Sequence, residues 1–212
     1  MSIRVFIVDD HALVRRGLRQ ILQESEDIEV AGEAADYAGL VAGMRSIEFD
    51  VLVLDISMPG KNGIDALRQL LKDKPRLKAL IVSMYPEDQF ALRALKAGAK
   101  GYLTKTSGTE KLVEAVRTIA AGRKFVTPEV AMALMESVGE DAAQGPRHAL
   151  LSDREFQTLR LIARGRKLSE IAADMALSAK TVSVYRARLL EKLKMKNNAE
   201  LTRYALENRL VE

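Results

Sequence analysis

The chain has 212 residues, 48% of them hydrophobic, with 33 Lys and Arg against 29 Asp and Glu and no cysteine. This is enough to bury a sizeable core in one large domain or two small ones, and two is the working count. The opening apolar run at 3–8 is too short, and too closely followed by acids, for a signal peptide or a membrane span, so a soluble cytoplasmic protein with no membrane partner is expected.

Residues 3–8, 28–31, 51–54, 79–82 and 101–104 are short β-branched runs separated by stretches of helical period, and they read as five strands. Their apolar runs are nearly continuous, as expected for strands covered by helices on both faces, and the connections are long enough for right-handed crossovers. The fold class predicted for residues 1–121 is therefore α/β, a five-stranded doubly wound parallel sheet. Residues 122–147 read as a linker with a short helix opened by Pro128, its stretch 139–148 being rich in Gly, Ala and charge. From residue 148 to 212 the pattern is helical, with helices predicted at 152–163, 168–175, 179–193 and 198–208. Charge divides with the domains. Residues 1–121 hold 17 basic and 17 acidic side chains, whereas 147–212 hold 14 and 8. A basic surface on a small helical unit points to an anionic partner.

In a doubly wound sheet, ligands gather beyond the carboxyl ends of the strands. Asp9 and Asp10 end the first strand, Asp55 the third and Ser83 the fourth, and Lys105 follows the fifth, so one pocket can contain them all. Crowded carboxylates repel by roughly 4 kcal/mol per pair at 4 Å with an effective dielectric of 20, so the cluster calls for a cation. Magnesium fits, because it prefers carboxylate oxygens and shares its coordination with phosphate. Asp10 and Asp55 are assigned as direct ligands and Asp9 as the residue that orients them. A carboxylate is a competent nucleophile toward phosphorus when cations offset the developing charge, and Asp55 is placed for that attack. Lys105 would pair with one phosphoryl oxygen and the Ser83 hydroxyl would donate to another. Drawing Ser83 inward opens space into which Tyr102 can rotate, which makes a switch. The plainer alternatives are that Asp10 caps the helix beginning near Ala12, that Ser83 bonds to backbone and that Lys105 is a solvated loop cation. His11 reads as a residue of the pocket rim, and Met58 and Met84 as packing side chains.

Val8-Asp9-Asp10, Asp55 with Met58-Pro59 and Gly63, Ser83, and Gly101-Tyr102-Leu103-Thr104-Lys105 resemble the receiver domain of response regulators. The resemblance implies Mg²⁺-dependent phosphorylation of Asp55 by a phosphohistidine on a sensor histidine kinase, with the backbone carbonyl of Ser57 completing the metal site. It implies no enzymatic turnover beyond the receiver's own phosphorylation and slow dephosphorylation. Thr106 stands where many receivers have Pro. Tyr85 is bulky enough to shield an acyl phosphate. A phosphohydrolase with an aspartate nucleophile is the enzymatic rival, but such enzymes normally carry a second aspartate two residues on, where this chain has Ser57.

In the helical domain, residues 168–172, 175–178 and 179–182 read as helix, turn and helix, with Ser178 suited to capping the second. Val182, Leu189 and Leu193 repeat at helical spacing and should face the core. Lys180, Thr181, Tyr185, Arg188 and Lys192 can then reach phosphates, while Ser183, Val184 and Arg186 are candidates to read base edges of double-stranded DNA. Leu151-Ser152 with Arg154-Glu155, Gly165, Glu170-Ile171-Ala172, Lys180-Thr181-Val182, Lys192-Leu193 and Asn198-Ala199 resemble the LuxR-type DNA-binding domain of NarL/FixJ-class regulators. Tyr185 stands where that family usually has His, and Ala187 where some members carry a longer contact. The resemblance implies a transcription regulator that is a homodimer when phosphorylated, with half-sites about one DNA turn apart; in such domains the last helix, around residues 198–208, commonly pairs two copies, while its Leu201, Tyr204, Ala205 and Leu206 can equally be core.

Overall fold

The computed structural model describes residues 2–58, 61–128, 130–132, 135 and 146–211. The chain forms two compact units, residues 1–136 and 137–212.

The first unit alternates strand and helix: β1 (Ile3–Val8), α1 (Ala12–Gln23), β2 (Ile28–Ala34), α2 (Tyr37–Gly43), β3 (Val51–Leu54), α3 (Gly63–Asp73), β4 (Ala79–Ser83), α4 (Glu87–Lys96), β5 (Gly101–Thr104) and α5 (Thr109–Ala120). The strands pair in the order β2-β1-β3-β4-β5, all parallel. This order reverses direction between β1 and β3, so their carboxyl ends flank a crevice. Val5 and Ile7, Val51 and Val53, Leu80 and Val82, and Leu103 point to one face. There they pack on Leu18 and Leu22 of α1 and on Leu112, Ala115, Val116 and Ile119 of α5, the last four at the spacing of one helical stripe. Phe6, Leu52, Leu54, Ile81 and Tyr102 alternate with them along the strands and fill the opposite face, also buried. Burial on both sides is why the strands read as continuous apolar runs.

Two strands run further than the sequence pattern indicates. β2 continues through Gly32-Glu33-Ala34, which pair with Phe6, Ile7 and Val8 beyond a register shift between Val5 and Phe6. β4 includes Ser83, which pairs with Thr104. After α5, Phe125 forms a parallel bridge to Gly101 and its amide donates to Lys100 O (2.8 Å), so the chain passes beside the start of β5 in the same direction. Pro128 and residues 130–132 are helical where a short helix is expected, and most of the linker stretch 139–148, like Pro59, lies outside the described residues.

Among the described residues of the second unit, the first element is a 3₁₀ turn, Arg147–Leu150, that the sequence pattern does not reveal. Then come α6 (Asp153–Ala163), α7 (Leu168–Asp174), α8 (Ala179–Leu193) and α9 (Asn198–Glu207). Ser152 lies outside α6 as its cap, forming a reciprocal capping box with Glu155, and Ser178 caps α8 through the Thr181 amide. Phe156, Leu159, Ile162, Ile171, Val182, Leu189, Leu193, Leu201 and Ala205 form a buried centre shared by all four helices.

Gly63 shows how tightly the crevice is built. A Cβ there would lie 2.0 Å from the Asp55 carbonyl oxygen, so the start of α3 can press against the end of β3 only without a side chain. Gly63→Ala is expected to destabilise the first unit by about 1–3 kcal/mol through overpacking. Gly17→Ala, in open space within α1, should stabilise it by about 0.5–1 kcal/mol. Urea denaturation midpoints of the two variants check the contrast.

Candidate functional site

The backbone delivers the acids to one rim. The Asp9 amide donates to Ala34 O, the Asp55 amide to Val8 O (2.9 Å) and the Lys105 amide to Ser83 O (2.7 Å), so each residue continues its strand's ladder by one step. Asp9 and Asp55 are 1% and 2% exposed and Ser83 fully buried. The Lys105 ammonium enters between the two acids, 2.7 Å from Asp9 Oδ2 and 3.1 Å from Asp55 Oδ2. The other oxygens are held by backbone, with the His11 amide on Asp9 Oδ1 and the Ile56 amide on Asp55 Oδ1. The His11 ring reaches Asp10, with Nδ1 2.8 Å from Oδ1.

This cluster is short of positive charge. Asp9 Oδ2, Asp10 Oδ1 and Asp55 Oδ2 are buried and receive no well-directed hydrogen bond, although the Lys105 ammonium lies within ion-pair distance of Asp9 and Asp55 and the His11 ring lies beside Asp10. Burial pushes the Asp55 carboxyl up to about 6, partly offset by Lys105 and reinforced by Asp9 and Asp10. Burial acts against the charge of Lys105 too, but the Asp55 and Asp9 carboxylates outweigh it and hold the ammonium above its ordinary value. Ligand atoms of Asp9, Asp10, His11 and Asp55 lie within 4.8 Å of one another, close enough to share one metal ion. Asp10 is not the cap of α1, because His11 holds that position and makes no side-chain cap hydrogen bond.

Ser83 Oγ accepts from the Tyr85 amide at 3.3 Å, and the hydroxyl keeps its own proton to donate. Tyr102 is already turned inward, 2% exposed, with Oη donating to the Tyr85 carbonyl at 2.8 Å. The Tyr85 ring stacks on Phe90 at 4.6 Å. Met58 is buried, as expected of a packing side chain, but Met84 is 68% exposed and packs little. Its position just beyond the last strand residue carries it off the sheet. Ser57 is half-buried next to Asp55, and no described peptide bond, that of Lys105-Thr106 included, is cis. A groove of about 1040 Å³ lined by Arg4, Phe49, Asp50, Lys74 and Leu77 precedes β1, β3 and β4, at the end of the sheet away from these acids.

On α8, Val182, Leu189 and Leu193 are buried, while Lys180, Ser183, Val184, Ala187 and Arg188 are exposed along the remaining surface. Thr181 and Tyr185 are half-buried, the Thr181 hydroxyl lying 2.8 Å from that of Ser178. Two expected contacts are otherwise engaged. Arg186 Nε donates to Asn198 Oδ1 at 2.6 Å, joining α8 to α9. Lys192 Nζ lies 2.7 Å from Glu155 Oε2, joining α8 to α6. Burial raises the Glu155 carboxyl, but Lys192 and the Ser152 cap outweigh it and hold the group below its ordinary value. The sequence signal for the second pair was Glu155 itself, an acid in the first turn that the domain buries.

Residues 5–117 match the response regulator receiver domain family, and residues 149–205 match the LuxR family of bacterial regulatory proteins. The chain is 36% identical over 210 residues to the response regulator GacA of Pseudomonas aeruginosa, covering 99% of this chain and 98% of that protein. It is 35% identical to the response regulator UvrY of Escherichia coli K12 over 98% of this chain and 95% of the other. Among solved structures it is similar to RcsB from Salmonella enterica serovar Typhimurium, bound to promoter rprA in the presence of phosphomimetic BeF₃⁻. There the identity is 28%, the TM-score 0.64, and the coverage 96% of this chain and 98% of that one.

The raised pKa of Asp55 carries a sign. Below about 4 the carboxyl is protonated whether the chain is folded or not. Between about 4 and 6 the folded state binds the extra proton, so stability falls as pH rises and stays lowered above 6. In the presence of a chelator, Asp55→Asn should therefore be more stable than wild type at pH 7.5 by about 2–3 kcal/mol. The gap should close toward pH 4, as read by thermal or urea unfolding at both pH values.

Proposed function

We propose a working cycle for this chain, which belongs to the two-component response regulators of the NarL/FixJ class and so is a phosphorylation-dependent DNA-binding regulator of transcription, partnered by a sensor histidine kinase. Receiver domains bind Mg²⁺ at an acidic cluster, and Asp9, Asp10 and Asp55 form one here. The residues present fit the ion: three carboxylates face a single buried ammonium and leave oxygens without directed hydrogen bonds. Asp10 and Asp55 hold it directly with the Ser57 carbonyl, and Asp9 orients them. When bound, Mg²⁺ neutralises charge on the oxygens of the transferred phosphoryl group.

Asp55 attacks the phosphorus of the kinase phosphohistidine. A P–O bond forms as the P–N bond breaks, and the imidazole leaves with the kinase. Lys105 turns from its carboxylate partners to a phosphoryl oxygen, and the Ser83 hydroxyl donates to another. Because the Ser83 Oγ holds the Tyr85 amide, its movement pulls on a residue that already ties Tyr102 and Phe90 together. The next turn of chain begins α4, whose Glu87 accepts a hydrogen bond from the Thr127 hydroxyl at 2.9 Å. Thr127 lies in the segment leaving the receiver, so a local bond at Asp55 has a route toward the linker. The domains of this cycle are the receiver at 1–121, the linker at 122–147 and the DNA-binding domain at 148–212. Phosphorylation favours a homodimer on DNA; two RcsB dimers are seen bound to two parallel DNAs. Among the described residues no helix is long and apolar enough to cross a membrane, and the cycle runs in the cytoplasm.

On DNA, Lys180, Thr181, Tyr185 and Arg188 meet phosphates, and Ser183 and Val184 face base edges. Arg186 and Lys192 serve the fold first, through Asn198 and Glu155. The observation that carries the whole reading is the buried Asp55 carboxylate set beside Asp9 and 3.1 Å from Lys105.

Incubation with a small phosphodonor and Mg²⁺ should add one phosphoryl group by intact mass and tighten DNA binding in wild type, and do neither in Asp55→Asn. Thr127→Val should accept the group yet lose most of the gain in affinity. Unchanged mass in wild type refutes the cycle. For the helical domain, Lys180→Ala should lower the slope of log affinity against log salt by about one. Lys192→Met should leave that slope alone and destabilise the domain by about 1–3 kcal/mol, because Glu155 is left buried without its cation. Salt titrations of binding and urea unfolding separate the two roles.

A further inference from the structure

Helix α1 starts without the usual side-chain tie to the chain that enters it. His11 makes no cap hydrogen bond, and the first turn holds no acid. Side chains on a helix lean toward its amino end, so a long residue one turn in can reach back over the entry. Arg15 does so. Its amide donates to His11 O at 3.0 Å within the helix, while its Nη1 donates to the Asp9 carbonyl at 2.5 Å. That carbonyl belongs to the peptide joining Asp9 to Asp10, so its direction governs where the Asp10 carboxylate points. The Asp9 amide is already fixed on Ala34 O at 3.2 Å, and its Oδ1 accepts from the His11 amide at 2.9 Å. Arg15 fixes the peptide that follows. Glu33, opposite Ile7 in the sheet, steadies the guanidinium from β2, with Oε2 3.4 Å from Arg15 Nε, and it also pairs with Arg19. Arg15 and Glu33 are each only 20% exposed, whereas Arg16, next along α1, is exposed.

We propose that Arg15 is a positioning residue for the phosphoryl-accepting site: by holding the Asp9–Asp10 peptide it presets Asp10 beside Asp55, so that Mg²⁺ meets ligands already in place. The proposal rests on the carboxylate metal site above. A guanidinium suits this task because its hydrogen bonds are charge-assisted and its planar fork can serve the Asp9 carbonyl and Glu33 at once. Its charge acts in the opposite sense, since a cation near three carboxylates opposes the arrival of another. The two roles therefore differ in sign. Removing a mere charge or surface ion pair leaves Mg²⁺ affinity unchanged or raises it, whereas removing a strut that aims the ligands lowers it.

The test is calorimetric titration of the full chain with Mg²⁺, comparing wild type, Arg15→Met, Arg15→Gln, Arg16→Met and Asp55→Asn. Circular dichroism checks that each is folded, and Arg15→Gln decides the matter if Arg15→Met is not. The expected Mg²⁺ affinity is about tenfold weaker in both Arg15 variants. Arg16→Met, which loses the same charge from the same helix, should bind as wild type does or slightly tighter. Phosphorylation of the Arg15 variants by a small phosphodonor should be slow at limiting Mg²⁺ and recover at saturating Mg²⁺. Affinity that is unchanged or raised in a folded Arg15 variant overturns the proposal, as does equal weakening in Arg16→Met. A rate that stays low at saturating Mg²⁺ also overturns it, because the defect then lies outside ion binding. Mg²⁺ binding as tight in Asp55→Asn as in wild type overturns the carboxylate site itself, and the Arg15 proposal falls with it.

Discussion

The Lys105 ammonium, almost wholly buried between Asp9 and Asp55, is the contact on which the receiver's architecture turns. Three carboxylates at one sheet edge repel each other, and a single buried cation moderates that repulsion without cancelling it. The Asp55 carboxyl is held up near 6 by burial first of all, with Lys105 drawing it down and Asp9 and Asp10 pushing it up. A site that strains to ionise in isolation is primed to accept an ion, a phosphoryl group, or both. The strand order serves this arrangement. β1 and β3 are neighbours and place Asp9 beside Asp55, while β4 and β5 bring Ser83 and Lys105 from the far side.

The same strand ends also connect outward. Ser83, Tyr85 and Tyr102 are joined by hydrogen bonds through the Tyr85 backbone, and the stacked Tyr85 and Phe90 rings tie that loop to α4. Glu87 then meets Thr127 beyond α5. Tyr102 is inward in this structure. Phosphorylation in the proposed cycle would therefore stabilise an arrangement the fold already reaches, which is how a population shift works.

In the helical domain, charge is divided between folding and recognition. Glu155 is buried and capped, and Lys192 keeps it ionised. Arg186 is tethered to Asn198 at the start of α9. Of the cations exposed on α8, Lys180 and Arg188 are left to face outward while Lys192 is engaged by Glu155.

Much of this was legible in the chain itself. The five apolar runs, Asp9, Asp10, Asp55, Ser83 and Lys105 at their ends, and the capped helix pair each depend on local pattern, and local pattern survives in a linear string. What needed the tertiary structure was any feature made by residues distant in sequence. The register shift in the pairing of β1 with β2 sets Phe6 against Gly32, 26 positions on. The engagement of Lys192 depends on a carboxylate 37 positions away. Residue type and period determined which groups this protein could use. Packing alone decided which of them meet, because pairing energies depend on distance and burial, and neither exists before the chain has folded.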